Sequence, residues 1–398
     1  MRILFVHANV RNTAGSDIVQ ALNRIGYEAQ EFPGLQTMPP SQLEDNRVKE
    51  LEEHIRRHNT DLLISIYFVM NAALAAYKTK IRYVSVLWDA PVTDVYNPLG
   101  RLDNVWISTF DQLERIKFLR SGIRNVLYQP LSVNETRALE WNHEIQETLQ
   151  GNYFHDISFI GSLYDDNPYD RYVQKFPKNM QYYFNSIFEE AAFKWDGENR
   201  IYGKTGKEIL EYLQMAAPEF GIFNRQDIDD VHYFEGVCLV RKVANIERTA
   251  VLNLLAEKYP VALYTGSNAG REKLQRVDVG PPVVYGKATS LVYAGSKINL
   301  NISLKGIERG TPQRVMDIMG AGGFVLTSYS PETAEIFEED KEIVMFRTPE
   351  ELMEKSDYYL NHDEIRRQIA AAGHDKVISC YTYEKKMREL MEWVEGAM

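Results

Sequence analysis

The stretch that decides the fold is Ser303-Leu-Lys-Gly-Ile-Glu-Arg-Gly-Thr-Pro-Gln-Arg-Val-Met-Asp-Ile-Met-Gly-Ala-Gly-Gly-Phe-Val-Leu-Thr327. Thr311 can cap a helix, and Pro312 suits the first helical turn. The glycines of Gly320–Gly323 then end the helix, and Phe324–Thr327 has the apolar character of a strand that is covered on both faces. The stretch therefore predicts a helix followed by a buried strand, the repeating pair of a doubly wound α/β sheet.

The start of this predicted helix has the features of an anion site. Backbone N–H groups are unpaired at a helix N-terminus and attract negative charge. Lys305 and Arg309, next to Gly310 in the loop that enters the helix, and Arg314 add positive charge. Asp317 lies three residues after Arg314, where a carboxylate can accept both hydroxyl protons of a ribose diol. We therefore predict half of a nucleotide-sugar site. The alternative is an intrahelical ion pair among ordinary surface charges.

The first half of the chain alternates between β-rich and helical patterns. Short β-rich runs lie at Arg2–His7, Glu28–Phe32, Asp61–Ile66, Arg82–Trp88, Asn104–Thr109 and Asn125–Gln129. Helical patterns lie at Ser16–Ile25, Ser41–His58, Met70–Tyr77 and Asp111–Arg120. This alternation is typical of a parallel, doubly wound sheet, and we assign it to an N-terminal domain of residues 1–150.

The second half resumes this pattern after an interruption. Asp156–Ile160 is its first predicted strand, and residues 166–235 then read as a helical insertion rich in Tyr, Phe, Glu and Lys. Later strands are predicted at Val261–Thr265, Pro282–Tyr285, Lys297–Ile302, Phe324–Thr327 and Glu342–Phe346. Residues 151–381 thus form a second domain, and residues 382–398 a final helix. We expect the aromatic side chains of the insertion to form a core, with acceptor docking or homo-oligomer contacts as the alternative.

Strand ends supply the secondary candidates for donor binding. Gly161 and Ser162 follow the first strand of the second domain, and Gly266 and Ser267 follow the next one. Open α/β sheets bind ligands at the carboxyl ends of their strands, where backbone N–H groups can reach a phosphate. A glycine turn also occurs without a ligand, so both pairs keep a structural alternative.

The first domain offers two candidates for a general base. Trp88-Asp-Ala-Pro91 ends an apolar run and places Asp89 at the carboxyl edge of the sheet. A carboxylate takes the proton of an acceptor hydroxyl best when partial burial raises its pKa toward the working pH. Asp89 could instead serve as a turn residue before Pro91. His7, at the end of the first strand, is the second candidate, with a structural polar role as its alternative.

Composition limits the class of protein. A chain of 398 residues, at ~150 residues per domain, suggests two or three domains, and two is our working interpretation. The hydrophobic share of 44% and charged share of 25% are typical of a soluble globular protein, and no apolar run reaches the ~18 residues of an integral membrane span. The net charge of −11 argues against nucleic acid as the main partner.

Cysteine usage indicates a reducing compartment. Cys238 and Cys380 lie far apart in sequence and have no histidine at ligand spacing, so neither a disulfide framework nor a zinc site is predicted. The apolar start Met1–His7 is better explained as a strand than as a signal peptide, because polar residues follow it. We expect a cytoplasmic protein.

Three motifs of the second half resemble those of the group 1 glycosyltransferases, specifically the spore-maturation-protein-B-like (CgeB-type) branch. That branch has a phrase of the type Arg-x-x-Glu-Ile-x-Ala-x-Gly-x-x-x-Leu-Thr, an acidic Glu-Leu-Phe segment and a Pro-Glu-Glu-Leu helix. Here they stand as Arg314-Val-Met-Asp-Ile-Met-Gly-Ala-Gly-Gly-Phe-Val-Leu-Thr327, Ala334-Glu-Ile-Phe337 and Pro349-Glu-Glu-Leu352. The resemblance covers mainly Asp156–Ser162 and Val261–Val394.

The resemblance implies a GT-B architecture, in which two Rossmann-like domains face a cleft and the C-terminal one binds most of the donor nucleotide. Asp317 would hold the ribose in place of the family's usual Glu, and the loop of Asn9, Gly15 and Ser16 would line the acceptor side. The implied activity is transfer of a sugar from a nucleotide-diphosphate donor, expected to be UDP-linked, to a hydroxyl acceptor of unidentified kind. The helix start and its basic side chains would replace a metal ion, and no cofactor is expected.

Two alternatives to a glycosyltransferase stay open at this point. A nucleotide-sugar epimerase or hydrolase can share this scaffold without using an acceptor. A non-catalytic sugar-binding protein of two Rossmann-like halves is the other alternative. These residues also leave open whether a transfer would retain or invert the anomeric configuration.

Overall fold

The computed structural model describes residues 1–7, 13–33, 43–216, 218, 230–268 and 270–396. The chain falls into two compact units, the first comprising Met1–Asn134 with Cys380–Met398 and the second Glu135–Ser379. Each unit contains a six-stranded sheet in which every neighbouring pair of strands is parallel. Two Rossmann-like, doubly wound domains are therefore confirmed.

Up to Asn134, the described residues of the first unit form six strands and four α-helices that largely alternate along the chain. The strands are β1 Arg2–Val6, β2 Glu28–Glu31, β3 Leu62–Ile66, β4 Arg82–Val86, β5 Val105–Thr109 and β6 Asn125–Tyr128. The helices are α1 Thr13–Arg24, α2 Asp45–His58, α3 Met70–Thr79 and α4 Gln112–Arg120. The sheet order is β2-β1-β3-β4-β5-β6, and β3 and β5 are buried at every position, as expected of strands covered on both faces.

The second unit contains the other six strands and eleven helices within its described residues. The strands are β7 His155–Ile160, β8 Val261–Tyr264, β9 Val277–Gly280, β10 Ser296–Asn301, β11 Val325–Ser328 and β12 Val344–Phe346. The helices are α5 Glu135–Leu149, α6 Pro168–Tyr172, α7 Lys178–Ala191, α8 Lys207–Ala216, α9 Asp230–Tyr233, α10 Val240–Ala256, α11 Lys287–Ala294, α12 Gln313–Gly320, α13 Pro331–Ile336, α14 Pro349–Asn361 and α15 Asp363–Cys380. The sheet order is β12-β11-β10-β7-β8-β9.

The helical insertion has an aromatic core of its own, as the sequence predicts. Tyr169 and Phe188 meet edge to face with ring centroids 5.0 Å apart, and Phe184 meets Phe234 at 5.5 Å. Buried aliphatic side chains of α7, α8 and α10 complete the cluster. A π-helical segment, Phe234–Leu239, joins α9 directly to α10, so the insertion continues into that helix.

The structure places two helices differently from the predicted domain boundaries. The helix α5 groups with the second unit, although we predicted the boundary at residue 150. The last helix, α16 Tyr383–Gly396, belongs to the first unit and buries Met387, Leu390 and Val394 in its core. These residues recur at helical spacing and form one apolar stripe, which requires a partner surface.

The predicted strand at Pro282–Tyr285 is wrong, because the strand of this region is β9. The apolar pair Val283 and Val284 suggested a strand. However, Pro281 and Pro282 remove two consecutive N–H donors that a ladder needs, and Val284 is 79% exposed. No helix in the described part of the chain is long and apolar enough to cross a membrane.

Candidate functional site

The order of the second sheet reverses between β7 and β10, and this is where open α/β sheets bind ligands. Arg314, in the first turn of α12, lies at this point. Its Nη1 donates to Asn301 Oδ1 at 2.7 Å, and its guanidinium lies 4.9 Å from the centroid of the Phe159 ring. Gly161 makes room for it, since a Cβ there would lie 2.6 Å from Arg314 Nη2. The structure thus brings together two residues that the sequence singled out separately.

Arg248, on α10, is a second guanidinium at the same point, and the sequence motifs did not indicate it. It is 2% exposed, and it donates to the carbonyl oxygens of Ser162 at 2.6 Å and Ile302 at 2.8 Å. Its guanidinium lies 5.3 Å from the centroid of the same Phe159 ring. Burial lowers the pKa of Arg248 to about 10, and the nearby charge of Arg314 adds to this effect.

The two guanidinium groups leave a net positive charge at the switch point. Their hydrogen-bond acceptors at Asn301, Ser162 and Ile302 are amide or peptide oxygens, which carry no formal charge. Two like charges in a low-dielectric setting repel, and an anion would relieve that repulsion. A sequence signal for Arg248 does exist, because it occupies the buried face of α10 together with Ala244 and Val251.

The helix α12 begins at Gln313, and the prediction that Thr311 caps it is wrong. Pro312 occupies the cap position and no side chain caps the helix there. The Thr311 hydroxyl is buried and bonds instead to the Glu332 carboxylate on α13 and to the Thr333 hydroxyl. Because no side chain caps the helix start, N–H groups of its first turn can donate to a ligand.

Asp317 lies one turn into α12, with its carboxylate half-buried. Its Oδ1 accepts hydrogen bonds from Gln313 Nε2 at 2.8 Å and from the Tyr285 hydroxyl at 3.1 Å. Tyr285 comes from the segment that we predicted as a strand. These two donors orient the carboxylate.

Lys305 and Arg309, the other predicted phosphate contacts, both have carboxylate partners. The Lys305 ammonium lies 3.3 Å from the fully buried Glu247, donates to the Lys194 carbonyl and lies 5.3 Å from the centroid of the Trp195 ring. Burial lowers the pKa of Lys305 and raises that of Glu247. Arg309 pairs with Glu335 on α13. Lys305 therefore attaches its loop to the helical insertion.

Four of the other predicted donor-binding residues lie around a groove at the carboxyl ends of β7 and β8. Gly161, Ser162, Gly266 and Ser267 all line this groove, whose volume is about 610 Å³. The Ser267 hydroxyl accepts from the Leu163 backbone N–H at 3.0 Å and connects the two strand-end loops. Gly310 lies apart from it, with its carbonyl accepting from the Ser330 hydroxyl at 3.2 Å.

In the first unit, Asp89 is exposed and lies in the loop that follows β4. This loop is fixed by a buried carboxyl group, since Glu114 Oε1 accepts from the Val92 backbone N–H at 2.7 Å. The Thr109 hydroxyl donates to the other oxygen of Glu114 at 3.3 Å. The partial burial that we expected of Asp89 is not observed.

His7 lies near Gly15 and Ser16, two of the predicted acceptor-side residues, at the end of β1. His7 Nε2 is 3.3 Å from Glu31 Oε2, and the Ser16 hydroxyl donates to Glu31 Oε1 at 2.7 Å. Gly15 allows close packing, because a Cβ there would lie 2.6 Å from His7 Cε1. His7 is buried in these contacts, which agrees with its structural alternative, and Asn9 lies outside the described residues.

Comparison with known proteins identifies the fold. Residues 248–392 match the family model described as glycosyl transferase-like, and no curated protein matches the chain. Sucrose-phosphate synthase from Thermosynechococcus elongatus superimposes with a TM-score of 0.56 and 10% identity, covering 100% of both chains. The chain has the GT-B fold. Anabaena Alr3699/HepE, solved with UDP-glucose, gives a TM-score of 0.51 at 10% identity over 100% of both chains. A putative UDP-N-acetylglucosamine 2-epimerase from Listeria monocytogenes gives 0.50 at 11% identity, covering 100% of this GT-B chain and 97% of its own.

Gly161→Ala should weaken anion binding, because the new Cβ would lie 2.6 Å from Arg314 Nη2 and displace the guanidinium. We expect the affinity for inorganic diphosphate, measured by calorimetry, to fall by about tenfold. Gly206→Ala in the helical insertion is the matched control, since a Cβ there meets nothing within 4 Å. Equal affinities of the two variants would contradict the placement of the anion beside Arg314.

Glu114→Gln should change how the stability of the first unit depends on pH. Burial raises the pKa of Glu114 from 4.5 to about 8, and the charge of Asp111 contributes. The folded state therefore keeps a proton that the unfolded chain loses, and stability falls as the pH rises from about 4.5 to about 8. The uncharged Gln variant should lack this decrease in urea unfolding, whereas the exposed control Glu53→Gln should retain it. A parallel pH dependence of Glu114→Gln and the wild type would refute the assignment.

Proposed function

We propose that this protein is a glycosyltransferase that moves a sugar from a UDP-linked donor to a hydroxyl acceptor. The observation that carries the proposal is the pair of guanidinium groups at the β7/β10 switch point, beside the uncapped start of α12. Both arginines lie within the region that matches the glycosyl transferase-like family. The motifs around Arg314 favour the CgeB-type branch of that family, and a cytoplasmic location suits the cysteine usage.

The positive charge of the site fits the chemistry of the leaving group. When the bond between the sugar and the diphosphate breaks, negative charge builds up on the phosphate oxygens. Arg314, the field of the buried Arg248 and the first-turn N–H groups of α12 would stabilise that charge without rearranging. We propose that they replace a divalent cation.

The proposed contacts to the donor nucleotide and to the acceptor come from different residues. Asp317, oriented by Gln313 and Tyr285, would accept both hydroxyl protons of the ribose. A UDP moiety is our choice because Anabaena Alr3699/HepE was solved with UDP-glucose. Asp89, as an exposed carboxylate in the first unit, would take the proton of the acceptor hydroxyl.

Incubation with a panel of nucleotide sugars and glycoside acceptors tests this proposal. Release of UDP that depends on an acceptor, with a new glycoside detected by mass spectrometry, is the expected result. An isomerised or hydrolysed donor without an acceptor would establish the epimerase or hydrolase instead. An unchanged donor that binds nevertheless would establish a non-catalytic binding protein.

Asp317→Ala should lower the affinity for UDP by roughly 10- to 100-fold, the value of hydrogen bonds to a charged group. Its affinity for inorganic diphosphate should stay unchanged, because only the ribose contact is removed. Calorimetry with both ligands separates the two effects. Normal UDP affinity in the variant would refute the ribose assignment, and a parallel loss for both ligands would indicate a general disturbance of α12.

Asp89→Asn should leave the affinity for UDP unchanged and reduce turnover by at least about 100-fold, as expected when a general base is removed. The exposed carboxylate of Asp103 in the same unit provides a control, and Asp103→Asn should keep full turnover. Steady-state rates of UDP release with a fixed acceptor give the comparison. Turnover of Asp89→Asn equal to that of the control would exclude Asp89 from catalysis.

A further inference from the structure

The helix α10 carries three polar residues on its buried face, and each is bonded to a loop at the carboxyl edge of the sheet or to the insertion. Asn245 Nδ2 donates to the Leu163 carbonyl at 3.0 Å, in the loop after β7. Glu247 accepts from the Phe193 backbone N–H at 3.0 Å and faces Lys305 in the loop after β10. Arg248 is bonded to both strand-end loops, through the carbonyls of Ser162 and Ile302. One helix thus holds both loops at the switch point, the one after β7 and the one after β10.

The position of α10 is itself fixed at both ends. Val240 and Val243 near its start are buried in the aromatic core of the insertion. Val251 and Leu255 near its end are buried in the core under the second sheet. Because packed cores resist displacement, a group midway along this helix is held at a defined place. Arg248 is that group.

We propose that Arg248 is a positioning residue of the donor site, which sets the separation of the loops after β7 and β10 so that Arg314 and the start of α12 face the diphosphate. This inference rests on the proposed donor site. Arg248 acts through the loops, since its guanidinium is enclosed by Ser162, Ile302 and the Phe159 ring. A planar guanidinium presents several donors in a fixed fork and can bond two carbonyls at once.

Two simpler roles for Arg248 give different results on substitution. If Arg248 supplied charge alone, a lysine would replace it, because the ammonium is also positive. If it stabilised the core alone, its loss would lower the melting temperature without changing ligand affinity. A positioning residue requires the fork, so a lysine, with a single nitrogen on a flexible chain, should fail almost as badly as a neutral side chain.

The test measures UDP and inorganic diphosphate binding by calorimetry for the wild type, Arg248→Lys and Arg248→Met. We expect both variants to lose about tenfold or more in affinity for both ligands. Arg241→Lys is the matched control, because Arg241 is exposed on the same helix and lies 5.8 Å from the centroid of the Tyr164 ring that Arg248 approaches to 4.9 Å. Wild-type affinity in Arg248→Lys would overturn the proposal, and so would a lower melting temperature with unchanged affinity in both variants.

A measurement on the wild type keeps the proposal testable if the variants do not fold. Hydrogen exchange with and without inorganic diphosphate should show protection of residues 161–164, 302–305 and 245–248 together, because Arg248 joins them. Protection confined to α12 would overturn the proposal. A wild type that binds diphosphate but not UDP would remove the nucleotide-sugar function and leave the role of Arg248 standing. UDP binding that is indifferent to Arg248 would remove this inference alone.

Discussion

The second unit depends on the approach of two guanidinium groups to one phenylalanine ring. Arg248 and Arg314 lie 5.3 and 4.9 Å from the centroid of Phe159, and their mutual repulsion is opposed by the electron-rich ring face and by uncharged oxygens. Burying Arg248 beside the second positive charge of Arg314 costs stability, and both burial and that charge lower the pKa of Arg248. The proposed anion would offset that cost. The absence of a Cβ at Gly161 and the carbonyl oxygens that accept from Arg248 are what allow the two guanidinium groups to lie there.

The four basic residues near the start of α12 differ in the partners they contact. Lys305 and Arg309 each face a carboxylate, Glu247 and Glu335, so their charge is already compensated. Arg314 and Arg248 bond to uncharged groups and keep a field that reaches a ligand. Closeness in sequence to a helix start is therefore a poor guide to phosphate contact. Whether a positive side chain is already neutralised depends on carboxylates that lie far away in the chain. The same comparison of partners distinguishes Arg314, the proposed phosphate contact, from Lys305, which attaches its loop to the helical insertion.

Local patterns sufficed for most of the fold and for part of the site. The alternation of strands and helices, the pair α12 and β11 and the aromatic core of the insertion follow from periodicity, which is a property of neighbouring residues. Thr311 and Arg248 could not be placed in this way. The Thr311 hydroxyl donates to Glu332, 21 residues further along the chain. Arg248 lies at the switch point because β7 and β10 are neighbours in the sheet, and only the tertiary structure reveals that order. The strand prediction at Pro282–Tyr285 was wrong for another reason. It gave more weight to the β-propensity of the two valines than to the backbone N–H donors that Pro281 and Pro282 lack.

Two carboxyl groups of the first unit, one on α4 and one in the loop after β4, lie in opposite environments. Glu114 is buried, and its pKa of about 8 keeps it protonated and uncharged near neutral pH while it holds Val92 in place. Asp89 lies three residues before Val92 in the loop after β4, and it is exposed to solvent. A neutral anchor adds no negative charge beside Asp89, so the loop is fixed without repelling the proposed base. The His7 side chain is enclosed by Glu31 and Gly15. Of the two proposed bases, Asp89 is therefore the one that an acceptor can reach.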